Sequence, residues 1–289
     1  MKCEDYPDLY QTADEASINA QRVYLKTIAL YLCLLIAAAI CSLAIGTSSF
    51  LAILAALIFA GTLFLSIFLV VKRYDKTWYN ARAVAESVKT VTWRYMMRAE
   101  PYNDPNDAVA RSTFINTLKL ILEQNTQLAH AFTGDAATIY PIPETITDNR
   151  SFPLTTRIKI YIDSRIDNQR LWYIRKASNG KRRALIWFIL MCSAQAGALI
   201  CVLVRIAKPT WSYLPVDVFI VLAGASLTWM QTRKYQDIIA AYSLTAHEIS
   251  LMRSQISDSM TEDDFSDFVN DAENAFSREH TQWQARRQT

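Results

Sequence analysis

The sequence predicts an all-α membrane protein with two transmembrane helical hairpins, four spans in all, and long cytoplasmic helical extensions. Two apolar runs without a charged side chain, residues 27–46 and 50–71, follow each other across a short pause. Each run has about the 20 residues that an α-helix needs to cross a hydrocarbon core roughly 30 Å thick. Two further runs, 184–204 and 212–231, repeat this arrangement. The alternative is a pair of buried helices in a soluble core, but the Lys and Arg residues that bound the first pair favour the membrane.

Composition excludes several classes of protein. The chain of 289 residues carries a net charge of +3, which gives no indication of nucleic-acid binding. Its six glycines are few, which argues against glycine-rich phosphate loops and against a turn-rich β fold. None of the five cysteines belongs to a CxxC pair, so no zinc or redox site is expected. The acidic start of the chain is not a signal peptide, and the first helix is therefore expected to remain as an anchor.

A first two-span unit is predicted to cover residues 1–132. Apolar residues at helical spacing after the second span predict a cytoplasmic helix at 78–99. Neither glycine nor proline separates the two, so this helix is expected to continue the span without a break. A further cytoplasmic helix is predicted at 106–132, and a stretch rich in proline, threonine and aspartate marks residues 133–153 as a linker.

A second two-span unit is predicted to cover residues 154–289, on the same plan. Helical spacing of apolar residues predicts cytoplasmic helices at 154–180, 233–256 and 261–280. The last of these carries phenylalanines on one side and acidic residues, Glu273 among them, on the other. It is expected to dock on the basic cytoplasmic helices or on another subunit, with a solvated tail as the alternative.

Positive charge predicts the orientation in the membrane. A Lys or Arg residue lies next to each of the four span ends that face away from the hairpin loops. The first outer loop carries no basic residue, and the second carries Arg205 and Lys208. Under the positive-inside rule, this pattern predicts a multi-pass protein of the cell (inner) membrane with both termini in the cytoplasm.

Four polar side chains inside the predicted spans are candidates for lining a pore or for packing helices together. Thr62 and Ser66 lie one helical turn apart in the second span, and Ser193 and Gln195 lie in the third. The alternative for Thr62 and Ser66 is a hydrogen bond from each hydroxyl to the carbonyl one turn back in the same helix. The alternative for Gln195 is a hydrogen bond to a neighbouring helix, which is worth about 1 kcal/mol.

Two charged segments outside the spans are candidates for contacts. The first is either a recognition surface of the cytoplasmic helices or the packing face of a helix with extended arginines. Its candidate residues are Glu86, Trp93, Arg94 and Arg98. The second contains no acid and fits anionic lipid headgroups, at about 1 kcal/mol for each charge near the surface, although topology signalling alone also accounts for it. Its candidate residues are Arg175, Lys176, Lys181, Arg182 and Arg183.

No motif indicates catalysis. The sequence has no P-loop, no GxGxxG and no GxSxG, and its three histidines are widely spaced. His247-Glu248 begins like a zinc-protease motif but lacks the second histidine. The acids at 258–273 lack the glycine and the spacing of a calcium loop. No catalytic, cofactor-binding or metal-binding residue is therefore expected, and the protein is not expected to be an enzyme.

Two groups of sequence blocks resemble a known family. The first group is Tyr6-Pro-Asp-Leu-Tyr10, Trp78-Tyr79, Ala85-Glu86-Ser87 and the block from Thr92 to Pro101. The second group is Tyr161, Arg165-Ile166-Asp167, Trp172-Tyr173 and Lys181-Arg182-Arg183. The first group resembles one branch of the SMODS- and SLOG-associated two-transmembrane effector domains, abbreviated SLATT, and the second resembles another branch. Together the two resemblances cover nearly the whole chain.

This resemblance implies a membrane effector of a prokaryotic anti-phage or conflict system. Such a protein is expected to act on the lipid bilayer as a homo-oligomer, by forming a pore or disrupting the membrane. The expected trigger is a nucleotide-sensing or nucleotidyltransferase partner, since no nucleotide-sensing domain is recognisable in this sequence. A membrane scaffold or signalling adaptor that recruits partners through its cytoplasmic helices is the second hypothesis. A transporter is the third, weakened by the lack of a charged residue buried in a span.

Overall fold

The fold consists of helices of very different lengths. The structure is a computed structural model that describes residues 1–43, 49–126, 128, 142–211, 213–257 and 259–288, with side chains up to 277. Within these ranges no β-strand occurs, which confirms the predicted all-α class. The helices are α1 (Asp8–Ser42), α2 (Ser49–Lys72), α3 (Tyr74–Met96), α4 (Asp107–Glu123), α5 (Glu144–Ser151), α6 (Leu154–Tyr161), α7 (Asn168–Ala207), α8 (Val216–Arg233), α9 (Tyr235–Arg253) and α10 (Glu262–Gln288).

Among the described residues, three helical stretches are long and apolar enough to cross a membrane. They are Asp8–Ser42, Ser49–Met96 and Leu154–Ala207, and they contain the described parts of the first three predicted spans. The fourth predicted span, 212–231, corresponds to α8 and is not among them. Asp217 in its first turn and Arg233 in its last lower its apolar content. The fourth span therefore stays a prediction.

Each apolar hairpin ends at a basic residue with a left-handed backbone. Arg73 has φ 46° and separates α2 from α3, and Lys234 has φ 45° and separates α8 from α9. The expected continuity of the second span into the helix at 78–99 is thus interrupted. This conformation costs a residue with a Cβ about 1–2 kcal/mol, so local preference does not favour either break. Tyr74 and Tyr235 begin the helices that follow.

Contacts divide the chain into two units, each assembled from distant segments. The core unit comprises residues 1–21, 75–175 and 241–289, and the apolar unit comprises 22–74 and 176–240. This division differs from the predicted one at 133–153, which follows chain order. The reason is that each apolar hairpin has polar helices on both sides in the sequence, and the polar helices of both halves pack together.

A single hydrophobic core lies at the centre of the core unit. Trp93 and Phe114 come from the first half of the chain, and Tyr161 and Phe265 come from the second; all four are at most 1 % exposed. The rings of Trp93 and Tyr161 meet edge-on at 5.7 Å, and those of Tyr161 and Phe265 at 6.0 Å. Such aromatic pairs contribute about 0.5–1.5 kcal/mol beyond their buried area. The polar helices of the two halves therefore form one packed body.

Part of the predicted linker is a packed helix of the core unit. Residues 133–141 lie outside the described residues, but 144–151 form α5. Its Ile146 is fully buried and Arg150 is 2 % exposed. Arg150 donates through Nη1 to the Tyr95 carbonyl at 2.7 Å and through Nε to Asp107 at 3.0 Å. These bonds fasten α5 to the end of α3 and the start of α4.

The predicted helix at 154–180 is interrupted by a π-helical turn. This turn, Ile162–Asp167, joins α6 to α7 and carries Arg165 and Ile166, both buried. A π turn inserts an extra residue into the helical repeat and so redirects the side chains that it carries. It is this turn that brings a charged side chain into the core.

Small residues allow close helix contacts within the apolar unit. A Cβ built on Gly197 of α7 would lie 2.9 Å from Cε1 of Phe219 of α8, which is closer than side chains pack. Ile28 and Leu32 of α1 pack with Ala225 of α8. Helices that associate in lipid commonly meet at such small residues. The helix α8 therefore packs against two of the three candidate spans.

We predict that Gly197→Ala loosens the contact between α7 and α8. The new methyl group overfills the contact with Phe219, so the variant should be about 1–3 kcal/mol less stable than Gly224→Ala. Gly224 is the matched control because a Cβ there meets no atom within 4 Å. The probe is Cys201, which is 9 % exposed, as the sole cysteine of the full chain. The measurement is the temperature at which a maleimide begins to label Cys201 in detergent. Equal labelling temperatures for the two variants would contradict the prediction.

Candidate functional site

Two buried charges meet inside the core unit. Arg165 on the π turn donates through Nε to Oε1 of Glu273 at 2.7 Å and through Nη2 to Oε2 at 2.6 Å. The two side chains are 2 % and 0 % exposed. A bidentate arginine–carboxylate pair of this kind combines charge-assisted hydrogen bonds with a fixed geometry. The pair fastens α10 to the rest of the core unit.

Aromatic residues enclose the ion pair. The Tyr161 hydroxyl donates to Oε1 of Glu273 at 3.0 Å, and the Arg165 guanidinium lies 4.7 Å from the ring centre of Phe276 and 6.0 Å from that of Trp93. Burial raises the pKa of the Tyr161 hydroxyl well above its usual range, and the Glu273 charge adds to this. The hydroxyl therefore stays protonated and remains a donor to the carboxylate.

Trp93 extends this network to the start of the chain. Its Nε1 donates to the hydroxyl of Tyr6 at 3.0 Å. Burial raises the pKa of Tyr6 to about 12. The Arg165–Glu273 network, which comprises Arg165, Glu273, Tyr161, Trp93 and Tyr6, thus combines residues from α3, α6, α10, the π turn and the N-terminal segment.

A second ion pair holds the first residue of α10. Arg157 is 1 % exposed, and its Nη2 binds both carboxylate oxygens of Glu262, with Oε2 at 2.6 Å. Its other donors are used as well: Nη1 binds the Met97 carbonyl at 2.8 Å and Nε binds that of Phe152 at 3.0 Å. A carboxylate in the first turn of a helix is also favoured by the helix dipole. The C-terminal helix therefore docks within its own chain.

The sequence interpretation placed Glu273 on the exposed acidic side of α10, and the structure corrects this. Glu273 lies four residues after Val269 and three before Phe276, which are both buried. This spacing puts it on the edge of the apolar stripe, and it is a signal that could have indicated burial. Nothing in the sequence indicated its partner, because the π turn that redirects Arg165 has no recognisable sequence pattern.

The four predicted interaction residues lie in packing contacts of the core unit. Trp93 is fully buried, and Glu86 binds Arg82 at 2.5 Å. Arg94 donates to the Asn274 side chain of α10 at 2.7 Å, and Arg98 donates to the Arg150 carbonyl at 3.1 Å. The Glu86 pair lies within α3, whereas Trp93, Arg94 and Arg98 contact neighbouring segments, as in the packing alternative.

The four predicted pore-lining residues fall into two pairs with different surroundings. Thr62 is buried and donates to the Phe59 carbonyl at 2.8 Å, and Ser66 donates to the Thr62 carbonyl at 2.9 Å. Both hydroxyls are therefore bonded within α2. Ser193 and Gln195 are exposed on α7.

The five predicted headgroup residues are all exposed. They lie along one helix, α7, before its apolar part begins. Because none of them is buried, all five are accessible to an anionic surface. They are Arg175, Lys176, Lys181, Arg182 and Arg183.

The described side chains offer no metal centre. Among them, no group of three or more His, Cys, Asp or Glu residues is close enough to hold an ion. The chemistry that the site supports is structural: paired charges and aromatic rings that fix one helix against a core. A helical core unit together with three apolar helices of spanning length defines an integral membrane protein.

Comparison with family models identifies the family. Residues 7–158 match the SMODS and SLOG-associating 2TM effector domain 3, and residues 161–283 match the SMODS and SLOG-associating 2TM effector domain 1. The chain belongs to this family, SLATT, with two of its domains in tandem, which confirms the resemblance. No curated protein and no solved structure matched the chain. Membership of the family makes the protein a membrane-associated effector of a conflict system, of a kind that associates with SMODS and SLOG partners.

We predict that Glu273→Gln destabilises the core unit strongly. The amide keeps the shape of the side chain but leaves the Arg165 charge buried without a counter-charge, which costs about 3–5 kcal/mol. Thermal unfolding of the full chain in detergent, followed by near-UV circular dichroism, measures the loss. Asp271→Asn is the matched control, since Asp271 is exposed on the same helix. If both variants unfold at the same temperature, the buried pair does not contribute as proposed.

We predict that alkaline pH weakens the core unit through its buried tyrosines. The pKa of Tyr6 in the folded chain is about 12, above the value of about 10 for an unperturbed tyrosine. Its contribution to stability is therefore complete below about pH 10 and is lost as the pH rises to about 12. Tyr161 acts in the same direction. Unfolding free energies measured across this window should decline less steeply for Tyr6→Phe than for the unmodified chain, and parallel declines would count against the prediction.

Proposed function

We propose that this protein is a pore-forming or otherwise membrane-disrupting effector of a prokaryotic anti-phage system. Several copies assemble in the cell (inner) membrane and permeabilise it when a partner signals infection. The observation that carries this proposal is the outward surface of α2, where large apolar side chains are more than half exposed. Such a surface is suited to lipid rather than to water. These side chains are Phe50, Ile53, Leu57, Phe59, Leu63, Phe64, Ile67, Val70 and Val71.

The proposed topology has four spans and both termini in the cytoplasm. The packing of α8 against α1 and α7 supports a fourth span, because α8 then shares the environment of two candidate spans. The basic residues at the open ends of both hairpins support the orientation. The five exposed basic residues of α7 would lie at the level of the cytoplasmic headgroups.

The proposed trigger is a nucleotide-sensing protein or a nucleotidyltransferase. The description of the family, which names SMODS and SLOG association, supports such a partner. The core unit is the part of the chain suited to receive the signal, since it presents polar helices with a packed interior. The effector would act without catalysis, cofactor or nucleic-acid binding.

Depolarisation of cells tests the proposal. Inducible expression with a membrane-potential dye, with and without phage infection, should show depolarisation and growth arrest. Leu63→Arg should abolish both, because an arginine near the centre of a span costs about 2.5–3.5 kcal/mol on insertion. Leu63→Ile is the matched control and should behave as the unmodified chain does. An unmodified chain that leaves the membrane sealed in every condition would overturn the proposal.

A membrane scaffold or signalling adaptor is the second candidate function. A groove of about 1080 Å³ beside α10 favours it, because exposed acidic side chains and partly buried methionines line the groove. Among these residues are Asp264, Asp267, Asp271, Met252 and Met260. A basic partner helix would fit such a surface.

Charge reversal on α10 separates the two functions. Asp267→Lys with Asp271→Lys alters exposed side chains only, so the core unit should keep its unfolding temperature. An adaptor would lose protection against phage with this variant, and its membrane would stay sealed in all conditions. An effector that permeabilises the membrane would still depolarise cells when it is overproduced.

A further inference from the structure

Gln195 places a polar amide in the middle of a candidate span. It lies eleven residues after Ala184 and twelve before Ala207, and its side chain is exposed. In the part of the chain that the structure describes, no hydrogen bond involves this amide. Water would satisfy it on a soluble protein, but hydrocarbon offers neither donors nor acceptors. An amide at this depth therefore requires a partner.

The exposed amide belongs to a regular seam along α7. Seven residues at alternating steps of three and four are all exposed, which is the spacing of a helix-packing seam. The α7 seam consists of Leu185, Phe188, Cys192, Gln195, Leu199, Val202 and Ile206. The opposite side of α7 is already occupied, since Ala194 and Cys201 are buried there and Gly197 contacts Phe219.

The chemistry of the amide points to a second copy of this chain. A glutamine side chain both donates and accepts, so two of them can form reciprocal hydrogen bonds. Copies in one membrane share one orientation, and a two-fold axis along the membrane normal brings identical residues to the same depth. Gln195 would then meet Gln195, and Cys192 would meet Cys192 one turn away.

We propose that α7 packs against α7 of a second copy along the α7 seam, with the two Gln195 amides hydrogen-bonded to each other. The proposal rests on the membrane insertion put forward above and identifies the contact through which copies associate. Interhelical hydrogen bonds of this kind help helices associate in lipid, where the hydrophobic effect between helices is absent.

Oxidative cross-linking of Cys192 tests the seam. The full chain, with Cys192 as its sole cysteine, is reconstituted in lipid vesicles and treated with copper phenanthroline. Covalent dimers are expected from Cys192, and also from Leu199→Cys once Cys192 is replaced by alanine. Ile200→Cys in the same background is the matched control, because it is 60 % exposed but lies off the seam. Equal cross-linking at the two positions, or none at Cys192, would overturn the proposal.

Removal of the amide tests its role. Gln195→Leu preserves the bulk of the side chain, and it should lower the cross-linked fraction at high lipid-to-protein ratio about fivefold. Thr228→Val, which alters an exposed polar side chain on α8, should leave that fraction unchanged. An undiminished yield for Gln195→Leu would refute the amide contact.

Failure of the α7 contact can be distinguished from failure of the proposed permeabilising function. Cross-linking in vesicles requires neither a trigger nor a conducting pore. Seam-specific dimers together with a sealed membrane in cells would support the contact and overturn the permeabilising function. Depolarisation of cells without seam-specific dimers would support the permeabilising function and overturn the contact.

Discussion

The core unit depends on the buried pair of Arg165 and Glu273. Removing two charges from water is costly, and their attraction offsets that cost only when the geometry is good and the remaining hydrogen-bonding groups are satisfied. Here the pair is bidentate, Tyr161 adds a donor to the carboxylate, and aromatic rings cover the guanidinium. This geometry places Glu273 of α10 opposite Arg165 and fastens the C-terminal helix to the core.

A different constraint governs the apolar unit. In hydrocarbon, polar groups must find partners within the protein. Thr62 and Ser66 meet this requirement within their own helix, and Gly197 allows the close approach of α7 and α8. Gln195 does not meet it among the residues that the structure describes. The same physical rule thus accounts for the intrahelical hydrogen bonds of α2 and underlies the proposed contact of α7 with a second copy.

Sequence patterns located most helices because helical spacing of apolar residues is a local property. They were wrong at two places. Arg73 interrupts the expected continuity of α2 into α3 without glycine or proline, and α5 forms inside the predicted linker, where Arg150 binds partners on α3 and α4. Trp93 was a candidate for a surface contact, yet it is fully buried. The local sequence does not distinguish the two cases, because a tryptophan beside arginines can face either a partner or the core.

The sequence by itself determined the class of protein: apolar runs of spanning length, the basic residues around them and the blocks typical of SLATT domains. Composition decides these features, because transfer into lipid depends on each residue's own chemistry. Only the tertiary structure decided that the polar helices of the two tandem domains share one core and that Glu273 is buried opposite Arg165. Trp93 and Tyr161 are 68 positions apart and Arg165 and Glu273 are 108 apart, and the energies of such contacts depend on geometry that no local pattern encodes.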